Sequence, residues 1–296
     1  IRYFIDGIPM EDFGSSLSLD NYPINLVENI EVYKGVVPIN LSSDALGGAI
    51  NIVTPSLEDD YADISHSTGS FNTRRTAINT NYNHNGYYFS KISAFWNASD
   101  NDYDVNNAPI LDENNNVEGL KTEKRFHDKY QSRMLSWRNG VTKIAWADEF
   151  SVNLIVSDNE DEIQHSPANI DTVFGDLYSE SSSLLSSLNY KKQWGKASLS
   201  SYFLTGEVKQ TYFDTEDRTY QWDGSYQDKP NELSGEISDL KSILEIKDEV
   251  MRANIYGKYE ISHAFSVSSG LSFNRTERTG EDELDESKAS LEDRRS

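Results

Sequence analysis

The feature that most limits the fold of this chain is the alternation of apolar and polar side chains in segments of about ten residues beyond residue 60. In the segment 265–274, Phe265, Val267, Leu271 and Phe273 alternate with polar or small residues, and the segments at 150–157 and 251–261 repeat the pattern. Such alternation predicts a β-strand with one apolar and one polar face, because successive side chains of a strand point to opposite sides. We expect about nine such strands in an antiparallel ladder.

The connections between these segments are unequal. Tight turns fit at 84–86, 194–195 and 262–263, and long polar insertions lie at roughly 98–127, 158–181 and 206–240. A soluble β-sandwich usually has similar loops at both ends, whereas an outer-membrane barrel has short turns on one side and long loops on the other. Aromatic residues near predicted strand ends would suit the interfacial girdles of such a barrel: Trp96, Trp146, Phe150 and Tyr259. The segment 240–247 fits either a hairpin within a loop or an extension of the next strand.

Composition excludes several classes of protein. The chain has 27 basic and 49 acidic residues, a formal charge of −22, which disfavours a nucleic-acid binder because phosphates are bound through Lys and Arg clusters. Although 36% of the residues are hydrophobic, 17 Tyr, 12 Phe and 5 Trp predict a folded, β-rich chain. The longest apolar run, Ile144–Ala147, is far too short for a membrane-spanning helix. Cysteine is absent, which removes disulfides and thiolate catalysis.

Residues 1–57 form a first unit with short apolar runs and several glycines, which we call the N-terminal unit. Asp6-Gly7 predicts a tight turn between short strands, since Gly adopts a positive φ at little cost. A second strand, 30–33, ends at Lys34-Gly35, and a third, 49–54, follows the pair Gly47-Gly48 and stops at Pro55. The two glycines indicate a close approach of backbones.

Neither end of the chain has the features of a protein terminus. The first residues lack an initiator Met and the pattern of a signal peptide, and the stretch 279–287 is acidic and loop-like. We therefore expect the chain to be part of a longer protein.

Three blocks of the N-terminal unit, 4–9, 27–38 and 44–54, resemble the second half of the plug domain of TonB-dependent outer-membrane receptors. The stretch 68–75 is similar to the first barrel hairpin of that family, and 163–165 is similar to Bacteroidota-type members. The pattern departs at 41–43, where the family usually has an aromatic residue and a glycine. The positions that carry the plug motif, to which we assign structural roles, are Asp6, Gly7, Pro9, Glu31, Lys34, Gly35, Gly47, Gly48 and Asn51.

The resemblance implies an all-β fold in which a barrel of about 22 strands encloses a plug. By that comparison, residues 1–57 are the C-terminal half of the plug domain, and residues 58–296 are the N-terminal part of a transmembrane β-barrel, about nine of its 22 strands. The implied function is binding and active import of a scarce, bulky nutrient: a ferric siderophore, haem, cobalamin or a glycan. The implied partners are outer-membrane lipid and the TonB complex of the inner membrane, contacted through a segment outside this chain. The implied location is the cell outer membrane, and the family needs no cofactor and no catalysis.

Individual residues also have simpler interpretations. Lys34 either pairs with barrel carboxylates beyond this chain or lies solvated in a wet lumen. The cluster at 100–104 begins like a calcium loop, but Val105 and Leu111 stand where that loop needs Gly and Glu, so a solvated loop is the preferred interpretation. The five His have no spacing typical of a zinc or haem site, and His165 is the one we would test.

The motifs of common hydrolases, nucleotide-binding enzymes and zinc proteases do not occur in the sequence, which predicts a protein that is not an enzyme. A secreted, β-rich glycan-binding module is the alternative function, and an adhesin-like repeat is a third candidate. The adhesin is disfavoured because no internal repeat is visible. The residues that contact a ligand do not follow from the sequence.

Overall fold

In a computed structural model, the chain is an all-β molecule made of a small sheet and a large curved sheet. The structure describes residues 1–14, 17–41, 47–112, 116–284 and 294–295. Among these residues, no helix is long and apolar enough to cross a membrane. The predicted all-β class is therefore confirmed.

The small sheet lies within the N-terminal unit and has the strand order β2-β1-β4-β3. Its strands are β1 (Arg2–Ile5), β2 (Ile8–Pro9), β3 (Asn29–Tyr33) and β4 (Ala49–Val53). Strands β1 and β4 are parallel, and the other neighbours are antiparallel. Asp6 and Gly7 have φ angles of 50° and 84°, as the predicted tight turn between β1 and β2 requires. Short 3-10 helices at Met10–Phe13, Ile24–Leu26 and Ile39–Leu41 complete the unit.

The large sheet consists of long antiparallel strands that pair in chain order, interrupted only by the loops. Its strands are β5 (Tyr61–Thr68), β6 (Arg74–His84), β7 (Tyr88–Ser99), β10 (Tyr130–Ile144), β11 (Ala147–Glu162), β14 (Tyr178–Trp194), β15 (Ala197–Asp214), β18 (Ser242–Ser262), β19 (Phe265–Asp282) and the two-residue β20 (Arg294–Arg295). Nine of these described strands are long, which confirms the predicted number. The segment 240–247 lies mostly in β18, so of its two interpretations the strand extension is correct.

The two faces of the large sheet differ as the alternation predicts. Phe265 and Phe273 remain 72% and 50% exposed on the outer face. Gly270, of the opposite parity, faces the N-terminal unit, and a Cβ added there would lie 2.8 Å from Ile39 Cγ2. On β11, Leu154 is exposed while Ser151 is fully buried. The polar face therefore lies against the N-terminal unit, and the apolar face lies outward.

The strand connections confirm the predicted asymmetry. Turns at 85–87, 145–146, 195–196 and 263–264 lie at one end, which we call the turn end, and loops at 100–129, 163–177 and 215–241 lie at the other, the loop end. The second and third loops are shorter than predicted because β11 continues to Glu162 and β15 to Asp214, whereas the first has the predicted length. Pairs such as Glu160 with Glu180 keep the ladder regular there, since backbone hydrogen bonds do not require apolar side chains.

The three long loops fold against one another, and we call them together the loop assembly. They contain the hairpin β8 (Asp104–Leu111) and β9 (Val117–Lys124). They also contain a sheet of four short strands, β12 (His165–Ser166), β13 (Asn169–Val173), β16 (Arg218–Tyr220) and β17 (Tyr226–Asp228). A small core of Ala108, Val173, Tyr220 and Trp222 joins residues from all three loops. The loops are therefore one folded body.

Candidate functional site

An apolar belt joins the N-terminal unit to the inner face of the large sheet. The unit contributes Ile8, Phe13, Leu17 and Leu26, and the sheet contributes Ala77, Phe95, Met134, Ile155, Leu185, Leu204 and Val250. This belt was not predicted, because the alternation of side chains indicated an inner face that is polar throughout. A signal was present in the adjacent pair Leu184-Leu185, since two neighbouring apolar residues in a strand must point to opposite faces.

The turn at Asp6 carries the first polar contact between the unit and the sheet. The Asp6 carboxylate accepts hydrogen bonds from Thr54 N at 2.9 Å and Thr54 Oγ1 at 2.8 Å, and its Oδ2 lies 3.6 Å from Arg138 Nη1. Arg138 also forms an ion pair with Glu149, and Lys191 Nζ lies 3.1 Å from Glu149 Oε2. A carboxylate of the unit thus enters a charged network on β10, β11 and β14.

Lys91 on β7 reaches into the same region. It is 4% exposed, and its Nζ donates hydrogen bonds to Thr54 Oγ1 and the Pro55 carbonyl, both at 3.0 Å. The strand places it there because the inner face of β7 carries alternate residues, among them Phe89 and Phe95. Lys91 therefore holds the end of β4 against the large sheet.

A second ion pair lies at the 3-10 helix of the unit. Asp12 Oδ1 lies 2.9 Å from Arg252 Nη2 on β18, and Arg252 also donates to the Arg275 carbonyl at 2.6 Å. Asp12 Oδ2 is buried and has no hydrogen-bond partner among the described residues. Burial raises the pKa of Asp12 above its usual value, and the charge of Arg252 opposes that rise.

The contact between unit and sheet is not continuous. A cavity of about 80 Å³ lies between Ile8, Phe13, Lys91 and Arg138, and Asp6 is part of its lining. A crevice of about 240 Å³ lies on the other side of Asp6. The unit is therefore held to the sheet by one apolar belt and separate polar contacts, with open space between them.

Several plug-motif residues contact one another inside the small sheet. Gly7 N donates to Asn51 Oδ1 at 3.0 Å, and Asn51 Nδ2 donates to Glu31 Oε2 at 2.8 Å. Gly48 has a φ of 121°, and a Cβ there would lie 2.6 Å from the Tyr33 carbonyl oxygen. These residues therefore position the strands of the small sheet.

The other motif residues lie at its margin. Pro9 pairs with Phe4 across β1 and β2, and Gly35 has a φ of 82° in open space. At Gly47 an added Cβ would meet Ile1 N at 3.6 Å, an ordinary contact. Lys34 is exposed and forms no ion pair with a described residue, so its pairing with barrel carboxylates beyond this chain stays a prediction. Residues 42–46, which include part of the third motif block, lie outside the described residues.

The predicted loop candidates have structural partners. Asp102 forms an ion pair with Lys124, and the described part of the chain contains no group of three acidic or His residues arranged to hold a metal. His165 Nε2 lies 2.6 Å from Arg125 Nη2, its Nδ1 donates to the Ser166 carbonyl at 2.9 Å, and its ring lies 5.7 Å from that of Trp222. His165 therefore contacts residues of both other long loops.

Gln164, the neighbour of His165, is 1% exposed and was not predicted from the sequence to have a role of its own. Gln164 Oε1 accepts hydrogen bonds from Phe126 N at 2.8 Å and His127 N at 3.1 Å, and its own carbonyl accepts one from Phe174 N at 2.7 Å. One side chain therefore satisfies backbone groups of the first long loop from a position in the second. Long sequence separation hides such a role from pattern analysis.

The carboxylate of Glu236 joins the second and third long loops, and that of Asp214 joins the end of β15 to the third. Glu236 accepts hydrogen bonds from the backbone N–H groups of Gly175 and Asp176, both at 2.8 Å. Asp214 accepts bonds from Glu236 N, and from Ser238 N at 3.0 Å. Burial raises the pKa of Glu236 to about 7, against the opposing effect of its two backbone donors.

Comparison with known proteins supports the predicted family. Residues 1–49 match the family model described as "TonB-dependent Receptor Plug Domain". The chain is 31% identical over 58 residues to the vitamin B12 transporter BtuB of Vibrio vulnificus (strain CMCP6), an alignment that covers 20% of this chain and 10% of BtuB.

Solved structures share the fold over nearly the whole chain. The ferric-catecholate import receptor Fiu from E. coli K12 superposes with a TM-score of 0.58 at 15% identity, covering 94% of this chain and 39% of Fiu. The siderophore receptor PiuA from Acinetobacter baumannii gives 0.56 at 12% identity, covering 94% and 38%. The FrpB iron transporter from Neisseria meningitidis gives 0.58 at 14% identity, covering 95% and 41%.

This chain therefore spans about two fifths of the length of these solved receptors. The similar proteins are named as transporters and receptors, and none of these names describes an enzyme. Residues 1–49 are therefore similar to the plug domain of TonB-dependent receptors, and the chain shares the fold of part of these solved receptors.

Proposed function

We propose that this chain is part of an outer-membrane TonB-dependent receptor that binds and actively imports a scarce, bulky nutrient. Residues 1–57 are the C-terminal half of its plug domain, and residues 58–296 are the N-terminal part of its barrel. The observation that carries the proposal is the seating of a plug-like unit on the polar inner face of a sheet whose outer face is apolar. A polar lumen and an apolar exterior are what a lipid-embedded barrel requires.

The outer face supports a membrane location. Exposed aromatic residues lie at or beside the turns: Tyr88, Trp146, Trp194 and Tyr259. Exposed aliphatic residues such as Leu154 and Leu271 lie farther along the strands, and charged pairs such as Arg133 with Asp158 lie toward the loop end. This order matches the sequence of girdle, hydrocarbon band and polar rim in outer-membrane barrels.

The ligand would contact the loop assembly and the exposed top of the plug, because long external loops carry recognition in such scaffolds. The named ligands of the similar proteins, vitamin B12 and iron carriers, favour cobalamin or a ferric siderophore over haem or a glycan. The energy for import would come from the TonB complex. The stretch at 163–165 favours an origin among the Bacteroidota.

The proposal is tested by deleting the parent receptor gene and measuring uptake of radiolabelled cyanocobalamin and of ferric siderophores, with and without TonB. We expect uptake of one of these nutrients to be lost when the receptor gene is deleted and also when TonB is absent. If deletion of the receptor gene leaves the uptake of every tested nutrient unchanged, the proposal is contradicted.

A variant on the outer face tests the membrane location separately. Leu154→Arg should destabilise the parent in lipid by about 2 to 4 kcal/mol, because a charge there would enter hydrocarbon. Leu154→Phe is the matched control and should remain near the wild-type free energy of unfolding. A secreted glycan-binding module would instead be soluble without detergent and would tolerate the arginine.

A further inference from the structure

Two cations stand side by side on the inner face of the large sheet. Lys91 on β7 and Arg138 on β10 are direct partners in the strand register. Like charges directly opposite one another on a sheet are destabilising, so such a pair needs compensation. Part of it comes from Glu149, which pairs with Arg138.

The remaining compensation comes from the N-terminal unit. Asp6 Oδ2 lies 3.6 Å from Arg138 Nη1, and both groups that accept hydrogen bonds from Lys91 Nζ, Thr54 Oγ1 and the Pro55 carbonyl, belong to the unit. The cations also border the 80 Å³ cavity, whose polar lining includes Ser136, Asn153 and Asn189. Lys91 and Arg138 are thus two neighbouring donors that face the N-terminal unit, with Lys91 bound to Thr54 and Pro55 and Arg138 close to the Asp6 carboxylate.

We propose that Lys91 and Arg138 form a binding site for an anionic group of the transported ligand, a carboxylate or phosphate, and that Asp6 occupies this site while the plug is seated. When the N-terminal unit moves away, it removes Asp6, Thr54 and Pro55 together, because all three belong to it. The two cations then face the passage with Glu149 as their nearest compensating charge. A paired lysine and arginine bind carboxylates and phosphates through charge-assisted hydrogen bonds.

This inference rests on the proposed function, since it needs a plug that moves within a barrel. It extends that function by naming the chemical class of the cargo.

The test uses the full-length parent receptor reconstituted in planar bilayers in KCl, with urea added to displace the plug reversibly. Citrate, a tricarboxylate, is the probe, and the measured quantity is the citrate concentration that halves the current. We expect Lys91→Met to raise that concentration about tenfold and Lys91→Arg to restore block, because the guanidinium keeps the charge and the donors. Lys143→Met on the same strand as Arg138 is the control and should leave the block unchanged.

The outcomes separate the two proposals. A conducting pore whose citrate block is the same in wild type, Lys91→Met and Lys143→Met overturns the anion site and leaves the receptor function standing. A full-length receptor that does not insert into lipid overturns the proposed function, and the anion site with it. A receptor that inserts but shows no current in urea has a plug that does not leave, which overturns the anion site alone.

Discussion

The N-terminal unit and the loop assembly are both fixed by buried polar groups, but the partners of those groups differ. The unit contributes charged side chains that pair with charged side chains of the large sheet, as in Asp12 with Arg252 and Asp6 with Arg138, and Lys91 of the sheet also donates to the Pro55 carbonyl. In the loop assembly, the side chains of Gln164 and Glu236 satisfy backbone N–H groups of neighbouring loops.

The difference has a physical consequence. An ion pair between two side chains can separate while both backbones stay intact, and the charges can then find water or a ligand. A side chain that satisfies backbone donors fixes the path of a loop, because those donors lose their partner if the loop shifts. We therefore expect the N-terminal unit to separate from the large sheet more readily than the loop assembly changes its shape.

The largest expected effect is at the ion pair of Asp12. Arg252→Met should destabilise the seated unit by about 3 to 5 kcal/mol, because it leaves a buried carboxylate without its partner. Protease protection of residues 1–57 in the parent receptor measures seating, and circular dichroism measures the barrel. The double variant Asp12→Leu with Arg252→Met should recover much of the protection, and a double variant as poor as the single one would argue against a separable contact.

A second variant tests how closely the N-terminal unit packs against β15. Gly14 and Gly35 have φ angles of 80° and 82°, so alanine introduces backbone strain of about 1 to 3 kcal/mol at either position. A Cβ on Gly14 would lie 2.7 Å from Val208 Cγ1 on β15, whereas Gly35 has open space around it. Gly14→Ala should therefore cost about 1 to 3 kcal/mol more than Gly35→Ala in the seating assay. Equal costs would mean that the unit does not approach β15 this closely.

On the loop side, Gln164→Leu should destabilise the loop assembly by about 2 kcal/mol, since the Phe126 and His127 amides lose their acceptor. Hydrogen exchange at those two amides should accelerate, and exchange in β10 and β11 should stay slow. Gln193→Leu at the turn end is the matched control. Loss of seating of the N-terminal unit in Gln164→Leu would break the distinction between the two regions.

The smallest expected effect is a pH dependence of the loop assembly. The pKa of Glu236 is raised from 4.5 to about 7, chiefly by burial, so the folded loops bind its proton more tightly than the unfolded ones. The contribution is fully present below pH 4.5 and is lost as the pH rises through about 7. The pKa difference corresponds to about 3 kcal/mol, and solvent screening of this partly exposed group reduces it to about 1 to 2 kcal/mol.

Exchange of the Gly175 and Asp176 amides should therefore be faster at pH 7.5 than at pH 4.5, after correction for intrinsic rates. Glu236→Gln should remove that difference. An unchanged pH profile in the variant would assign the dependence to another group.

The sequence by itself determined the β-class, the number of long strands, their two faces and the position of the tight turns. Each of these is a local property. The alternation of apolar residues such as Phe265, Val267 and Phe273 with polar ones, for example, can be seen within a single strand. The turn at Asp6-Gly7 is equally local, because it depends on the φ angles of two adjacent residues.

Only the tertiary structure showed which charged residues pair and which apolar residues pack on the inner face. It also showed that the long loops form one folded body. Asp12 and Arg252 are 240 positions apart in the chain, and the sequence around either residue does not identify the other as its partner. The far ends of β11 and β15 were predicted as loops because their side chains are polar, yet pairing with the next strand keeps them regular. Contacts between distant segments depend on how the strands are arranged in space, and the pattern along one strand contains no record of that arrangement.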